Sequence, residues 1–229
     1  MVHEKKTCIF FILVLIGLIF VTGCTHSNNT AVQSSSSSLS NFNEQKAQNF
    51  KEAIDYTNPV TRDFAVSLIP KSHSGKYSVS QICDVWEALY KKWTYVSDPN
   101  GKDYRSPASR TIQLGLKGDC DDFAIVMASV VESIGGTTRI ISAHNGNKGH
   151  AYAEVYIGNS KEKLNSVVSY ISKRYGASSV AYHTTTKNNV TRYWLNLDWQ
   201  SKYPGGKFFE DDGEVTIFYP DGSWNIAKT

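Results

Sequence analysis

Apolar positions recur at helical spacing through the first half of the chain and alternate through most of the second. That change of period predicts helices over 43–56, 59–69, 78–95 and 119–134, followed by strands over 137–143, 150–157, 179–184, 192–199 and 214–219. One further helix is predicted over 161–174, where Leu164, Val167, Val168 and Ile171 share a stripe. Pro204-Gly205-Gly206 and Pro220-Asp221-Gly222 punctuate the last strands as turns. The helix at 119–134 opens on an unbroken apolar run, Phe123 to Ala128, which marks it as buried rather than amphipathic. Helices first and strands later predict an α+β domain, with an antiparallel sheet packed against that buried helix.

The N-terminus follows a different pattern. Lys5-Lys6 precede an apolar run from Cys8 to Val21, too short to span a bilayer comfortably and flanked as a signal peptide is. The run ends in Val21-Thr22-Gly23-Cys24, which resembles the lipobox of prokaryotic lipoproteins; cleavage before Cys24 would leave its sulfur to carry lipid. Thr25 to Ser40 is rich in Ser, Asn and Thr and has too little apolar area to pack, so a flexible tether is expected. The organisation expected is a signal peptide over 1–23, a tether over 24–40 and one folded domain over 41–229, placed as a monomer on the extracytoplasmic face of a cell membrane.

Composition narrows the partners. Lys and Arg number 24 against 21 Asp and Glu, and no basic block or basic–aromatic interleave stands out, so nucleic acid is not expected as a partner. Attachment to the membrane would be through lipid and not through a basic face. No Cys/His set has zinc spacing, and no Gly-rich phosphate loop follows a predicted strand.

Candidate chemistry centres on Asp119-Cys120-Asp121-Asp122. This stretch follows the loop Leu114 to Gly118 and puts Cys120 in the first turn of the buried helix. Unpaired N–H groups and the positive end of the helix dipole favour an anion there, and the thiolate is the nucleophilic form of cysteine. A base must take the thiol proton and a third group must orient that base. His150 leads the strand His150 to Ile157, and Asp198 ends the aromatic-rich strand Tyr193 to Trp199. If those strands are neighbours, Cys120 is the nucleophile, His150 the general base and acid, and Asp198 the group that orients the imidazole. The backbone N–H of Cys120, with Gln113 as a candidate side chain, would stabilise the oxyanion.

Three stretches carry a family resemblance: Gly118 to Ala124, Gly135 to Ile141 and Gly149 to Val155. Together they resemble the core of the transglutaminase-like cysteine protease superfamily, and Leu197-Asp198-Trp199 falls where the third catalytic member is expected. The resemblance covers about Tyr77 to Trp199. It implies a papain/transglutaminase-like core and a Cys120–His150–Asp198 triad. The implied reaction is hydrolysis of peptide or isopeptide bonds in a protein or peptide substrate outside the cytoplasm, through a thioester acyl-enzyme. The stretch between His150 and Asp198 exceeds the family's usual length, so Lys161 to Tyr175 reads as an inserted helix forming a wall or lid of the cleft. No cofactor is required, but the resemblance raises Ca²⁺ bound by Asp119 and Asp121.

Competing assignments follow from the same residues. Cys120 could be a buried thiol or half of a disulfide with Cys83. Asp119 could be simply a helix N-cap, with Asp122 as the third-residue partner of a capping box. His144 competes with His150 as base, His183 is expected at the surface, and Gln113 is as readily a surface side chain. Alternatives to hydrolysis are a non-catalytic surface module of the same fold that binds peptide or glycan, and an acyltransferase that cross-links proteins.

Overall fold

The computed structural model describes residues 30–98 and 104–229, with side chains from Ser38 onward. Six helices and eight strands form an α+β domain around one principal core. The first helix, α1 (Thr30–Ala53), buries Asn43, Ala47, Phe50 and Ala53 along a single stripe. It extends back through the Ser-rich segment, where coil was expected, and among the described side chains, from Ser38 onward, burial starts at Asn43. Asn58 caps α2 (Pro59–Ser67) by accepting a hydrogen bond from the Val60 amide at 3.0 Å, and Pro59 occupies the first helical position. Helix α3 (Val79–Lys92) starts at Ser78, whose amide donates to the Gln81 side chain at 3.2 Å.

Beyond α3 the sequence predicted three more helical residues. Instead Trp93 closes the helix and Thr94–Tyr95 forms a short strand, β1. It pairs in parallel with β2 (Lys117–Gly118), which runs directly into the cysteine helix. Between them lies α4 (Ala108–Gln113), a six-residue helix too short to leave a periodic signature. Helix α5 (Cys120–Ser133) then packs on β3 (Thr138–Asn145) and β4 (Lys148–Gly158) on one side, and on α2, α3 and α4 on the other. Being covered on both sides explains why residues 121–131 are all buried and why the run is apolar all round.

The sheet is antiparallel throughout, in the order β5-β6-β4-β3-β7-β8. Helix α6 (Lys161–Tyr175) separates β4 from β5 (Tyr182–Lys187), which pairs with β6 (Val190–Asn196). Asn188 and Asn189 turn that hairpin with φ of 52° and 60°, the left-handed conformation a two-residue hairpin turn requires. Strands β7 (Glu214–Phe218) and β8 (Trp224–Lys228) close the other edge, and β8 follows the Pro220-Asp221-Gly222 turn that the sequence marks. Ala151, Ala153 and Val155 of β4 face the helical core, whereas Tyr152 joins Ile141, Val215 and Ile217 in a smaller cluster on the opposite face.

Helix α6 is not a lid. Leu164, Val167 and Ile171 are buried in the main core, and Arg174 ties the helix to α3 through Asp84 at 2.7 Å and Glu87 at 2.8 Å. The long stretch between His150 and Asp198 is therefore absorbed as a fixed layer of the domain. Among the described residues, no helix is long and apolar enough to cross a membrane. The expected signal peptide and Cys24 lie outside the described residues.

Candidate active site

The site is assembled from two chain segments held by the same core. On the cysteine side, β2 delivers Gly118 against the coming helix so closely that a Cβ there would stand 2.2 Å from Asp122 Oδ2. Only glycine fits without displacing that carboxylate. Asp119 caps α5, its Oδ1 accepting from the Asp121 amide at 3.2 Å, and Asp122 accepts from the backbone of Asp119 and Ser106. Cys120 is therefore the first residue of α5, half-buried, at the positive end of the helix. Cys120 and Cys83 are both free thiols, so the disulfide alternative does not hold.

On the histidine side, His150 pairs with Ala143 near the entry of β4, with its ring against Tyr152 and Phe209. Its Nε2 donates to Asp198 Oδ2 at 2.7 Å, with both side chains nearly inaccessible. The thiol of Cys120 makes a side-chain hydrogen bond with the same imidazole. With Nε2 engaged by Asp198, Nδ1 is the nitrogen left for the sulfur.

Asp198 is held from several directions. Its amide donates to Asn196 Oδ1 at 2.9 Å, its Oδ1 accepts from the Gln200 amide at 3.0 Å, and its carbonyl accepts from Ser201 Oγ at 2.6 Å. Asn196 is fixed in turn by donating to the Gly206 carbonyl at 3.1 Å, and Trp86 donates to the Leu197 carbonyl at 3.2 Å. Burial pushes the His150 imidazole toward its neutral form, but the Asp198 carboxylate and the Cys120 sulfur outweigh it and raise its pKa to about 9. The site thus favours the protonated imidazole.

A second feature adjoins the sulfur. One carboxylate oxygen from each of Asp119, Asp121 and Asp122 lies within 4.8 Å of the others. Burial, and then the Asp119 carboxylate, raise Asp121 to about 9 despite Arg105, whose Nε stands 3.4 Å from Asp121 Oδ2. Burial, and then Asp119, raise Asp122 to about 6. Asp121 Oδ1 is buried with no hydrogen-bond partner. A set of hard carboxylate oxygens with one of them unsatisfied fits a cation such as Ca²⁺. Asp122, which the sequence assigned to capping alone, also lies in this carboxylate cluster.

The remaining candidates do not join the cluster. Gln113 is exposed on the last turn of α4 and makes no side-chain hydrogen bond, and nothing ties it to the thiol or the imidazole. His144 is exposed near the end of β3. His183, expected at the surface, is instead half-buried: its Nδ1 meets Glu154 Oε1 at 2.6 Å and its ring stacks on Phe208 at 3.8 Å. Sequence reasoning also missed Asn196 and Phe209, which hold Asp198 and cover His150. The adjacent pair Phe208-Phe209, just after a Pro-Gly-Gly turn, was the available signal.

Residues 62–165 match the model of the transglutaminase-like superfamily. That segment, a little under half of the chain, is similar to the core of that superfamily. The matched segment contains Cys120 and His150 and ends within α6, before Asp198. A crystal structure of a candidate cysteine protease from Cytophaga hutchinsonii is similar at 16% identity and a TM-score of 0.39, covering 73% of this chain. This chain spans 47% of that structure's length, so about half of the neighbour has no counterpart here. No curated protein matches the chain.

Proposed function

We propose that this transglutaminase-like chain is a lipid-anchored, extracytoplasmic cysteine hydrolase of peptide or isopeptide bonds. The observation that carries the proposal is the buried His150–Asp198 pair at 2.7 Å with its imidazole against Cys120 at a helix start. The Cys120 thiolate attacks the amide carbonyl, and the carbonyl π electrons move onto oxygen. The Cys120 backbone N–H, unpaired at a helix start, faces the developing charge. The C–N bond then breaks as His150 gives its proton to the leaving amine, which leaves a thioester on Cys120. His150, now neutral, takes a proton from water. The resulting hydroxide adds to the thioester, and the carboxylic acid and the thiolate are released. Asp198 holds the imidazole in the tautomer and orientation that both steps need.

Asp119, Asp121 and Asp122 would hold a calcium ion, which supplies positive charge beside the sulfur when bound. Val21-Thr22-Gly23-Cys24 supports the lipid anchor, with Cys24 as the acylated residue. The substrate is a protein or peptide, and the chain acts as a monomer.

The test is digestion of a mixed peptide library by the full chain in mild detergent, with and without a primary amine, read by mass spectrometry. New carboxyl termini that vanish in Cys120→Ala are expected. Cleavage unaffected by that substitution would overturn the proposal, and amine incorporated in place of water would overturn the hydrolytic half of it.

A further inference from the structure

Not every cavity among the described residues lies at the triad. A groove of about 1000 Å³ lies on the sheet face turned away from α5, between the β5–β6 hairpin and the β7–β8 turn. Its position is set by Tyr156 and Trp194, directly paired across β4 and β6. Tyr156 is six residues beyond His150 on the same strand, which puts the groove about 20 Å from the imidazole at the usual rise per residue. The groove is therefore separate from the catalytic machinery.

The lining has an unusual composition. Tyr156, Trp194 and Tyr219 contribute its apolar surface; Trp224 borders the groove, but its indole turns to α1 and donates to Glu44 at 2.9 Å, and every other lining residue is a hydroxyl, an amide or a charged group. No aliphatic side chain is present, which argues against a lipid chain or a hydrophobic peptide anchor. Trp194 is held in place: Arg139 lies 4.2 Å from its ring and its indole N–H donates to Thr185 at 3.0 Å. Trp194 is itself only 5% exposed and anchors the floor, so the rings open to a ligand are the half-buried Tyr156 and Tyr219. Such rings beside hydrogen-bonding groups suit a sugar, whose C–H faces stack on aromatic rings while its hydroxyls bond in the plane.

Charge narrows the class further. Lys187 and Arg192 are both exposed on one lip, and neither forms an ion pair among the described residues. The opposing carboxylate, Asp221, is engaged in its own turn by the Ser223 amide at 2.8 Å and the Ser223 hydroxyl at 2.6 Å, with Lys51 nearby. The unengaged charges are thus the two cations. An extended acidic peptide is the competing anionic ligand. Peptides of that kind take much of their affinity from main-chain bonds to an open sheet edge. Here Tyr156 and Trp194, at the floor of the groove, lie on interior strands whose main chains pair on both sides, whereas Thr185 to Lys187 of β5 and Asn225 of β8 bring sheet edges to it. An acidic peptide at those edges is therefore the alternative that comparison with polyglutamate separates.

We infer that this groove binds an anionic oligosaccharide, of the uronic-acid type, independently of Cys120. The decisive experiment is titration calorimetry on the full chain in mild detergent. Three ligands are compared: oligogalacturonate, a neutral cello-oligosaccharide of equal length, and polyglutamate. Saturable binding of oligogalacturonate alone is expected, weakened about tenfold or more in Lys187→Gln/Arg192→Gln and unchanged in Cys120→Ala. Because the substituted side chains are exposed and unpaired, the double variant retains its fold, and a matching melting temperature verifies this. Oligogalacturonate binding unaffected by the double variant overturns the assignment to this groove. Equal binding of polyglutamate makes the site a general anion surface, equal binding of the neutral sugar removes the role of the cations, and no binding removes the site.

Discussion

Cys83 and Cys120 sit in neighbouring helices of one core, yet they occupy opposite chemical situations. Cys83 lies in the second turn of α3 with no accessible surface. Burial dominates there, outweighs the help from Arg174 and Tyr175, and pushes its thiol up to about 12. Cys120 is the first residue of α5, half-exposed, with an imidazole and a helix N-terminus around its sulfur. The same side chain is an inert filler in one place and a candidate nucleophile in the other. Helix position and one buried charge pair make the difference, not residue type.

The largest effect that could break this comparison is on turnover. Cys120→Ala is expected to abolish peptide cleavage, whereas Cys83→Ala leaves the rate intact and costs stability of about 1 kcal/mol through a small cavity. Comparable losses of activity in both variants, at equal folded fraction, would erase the distinction. Next comes Asp198→Asn, which leaves a side chain of the same shape but no charge to orient the imidazole. A fall in kcat of about three to four orders of magnitude is expected, with KM little changed.

The pH dependence of stability sharpens the account at smaller scale. The folded His150 pKa of about 9 stands above the usual 6.5, so the protonated imidazole contributes stability in full below about 6.5. That contribution declines as pH rises through about 9. The urea midpoint should therefore fall between those values, with a shallower fall in His150→Gln. The smallest effect concerns the carboxylates beside the sulfur. Ca²⁺ should raise the melting temperature by a few degrees, a shift that corresponds to about 1 kcal/mol, and Asp121→Asn should remove the increment. A calcium response that survives Asp121→Asn would place the ion elsewhere.

The parts legible in sequence were those whose cause is local. The apolar run after Asp119 and the alternation after His150 mark the buried helix and the strand without further help, so Cys120 and His150 could be named. Asp198 required knowing that β4 and β6 pair, a relation set across 48 residues by a helix in between. His183 was misjudged for the same reason, since its partner Glu154 is on another strand. The inserted helix was recognised by its stripe, but the stripe alone could not tell a lid from a wall. Arg174, reaching back to Asp84 and Glu87, settles that as packing. Gln113 shows the converse error: seven residues before Cys120 in sequence, it is turned away on a helix of its own.

The most direct test of the difference between the two cysteines is the alkylation rate of each thiol against pH, read by peptide mass on the full chain, with His150→Ala alongside. The account predicts that Cys120 labels rapidly below pH 7, that His150→Ala slows it, and that Cys83 stays unlabelled until the protein unfolds. Equal labelling of the two thiols, or a Cys120 rate indifferent to His150, would contradict it.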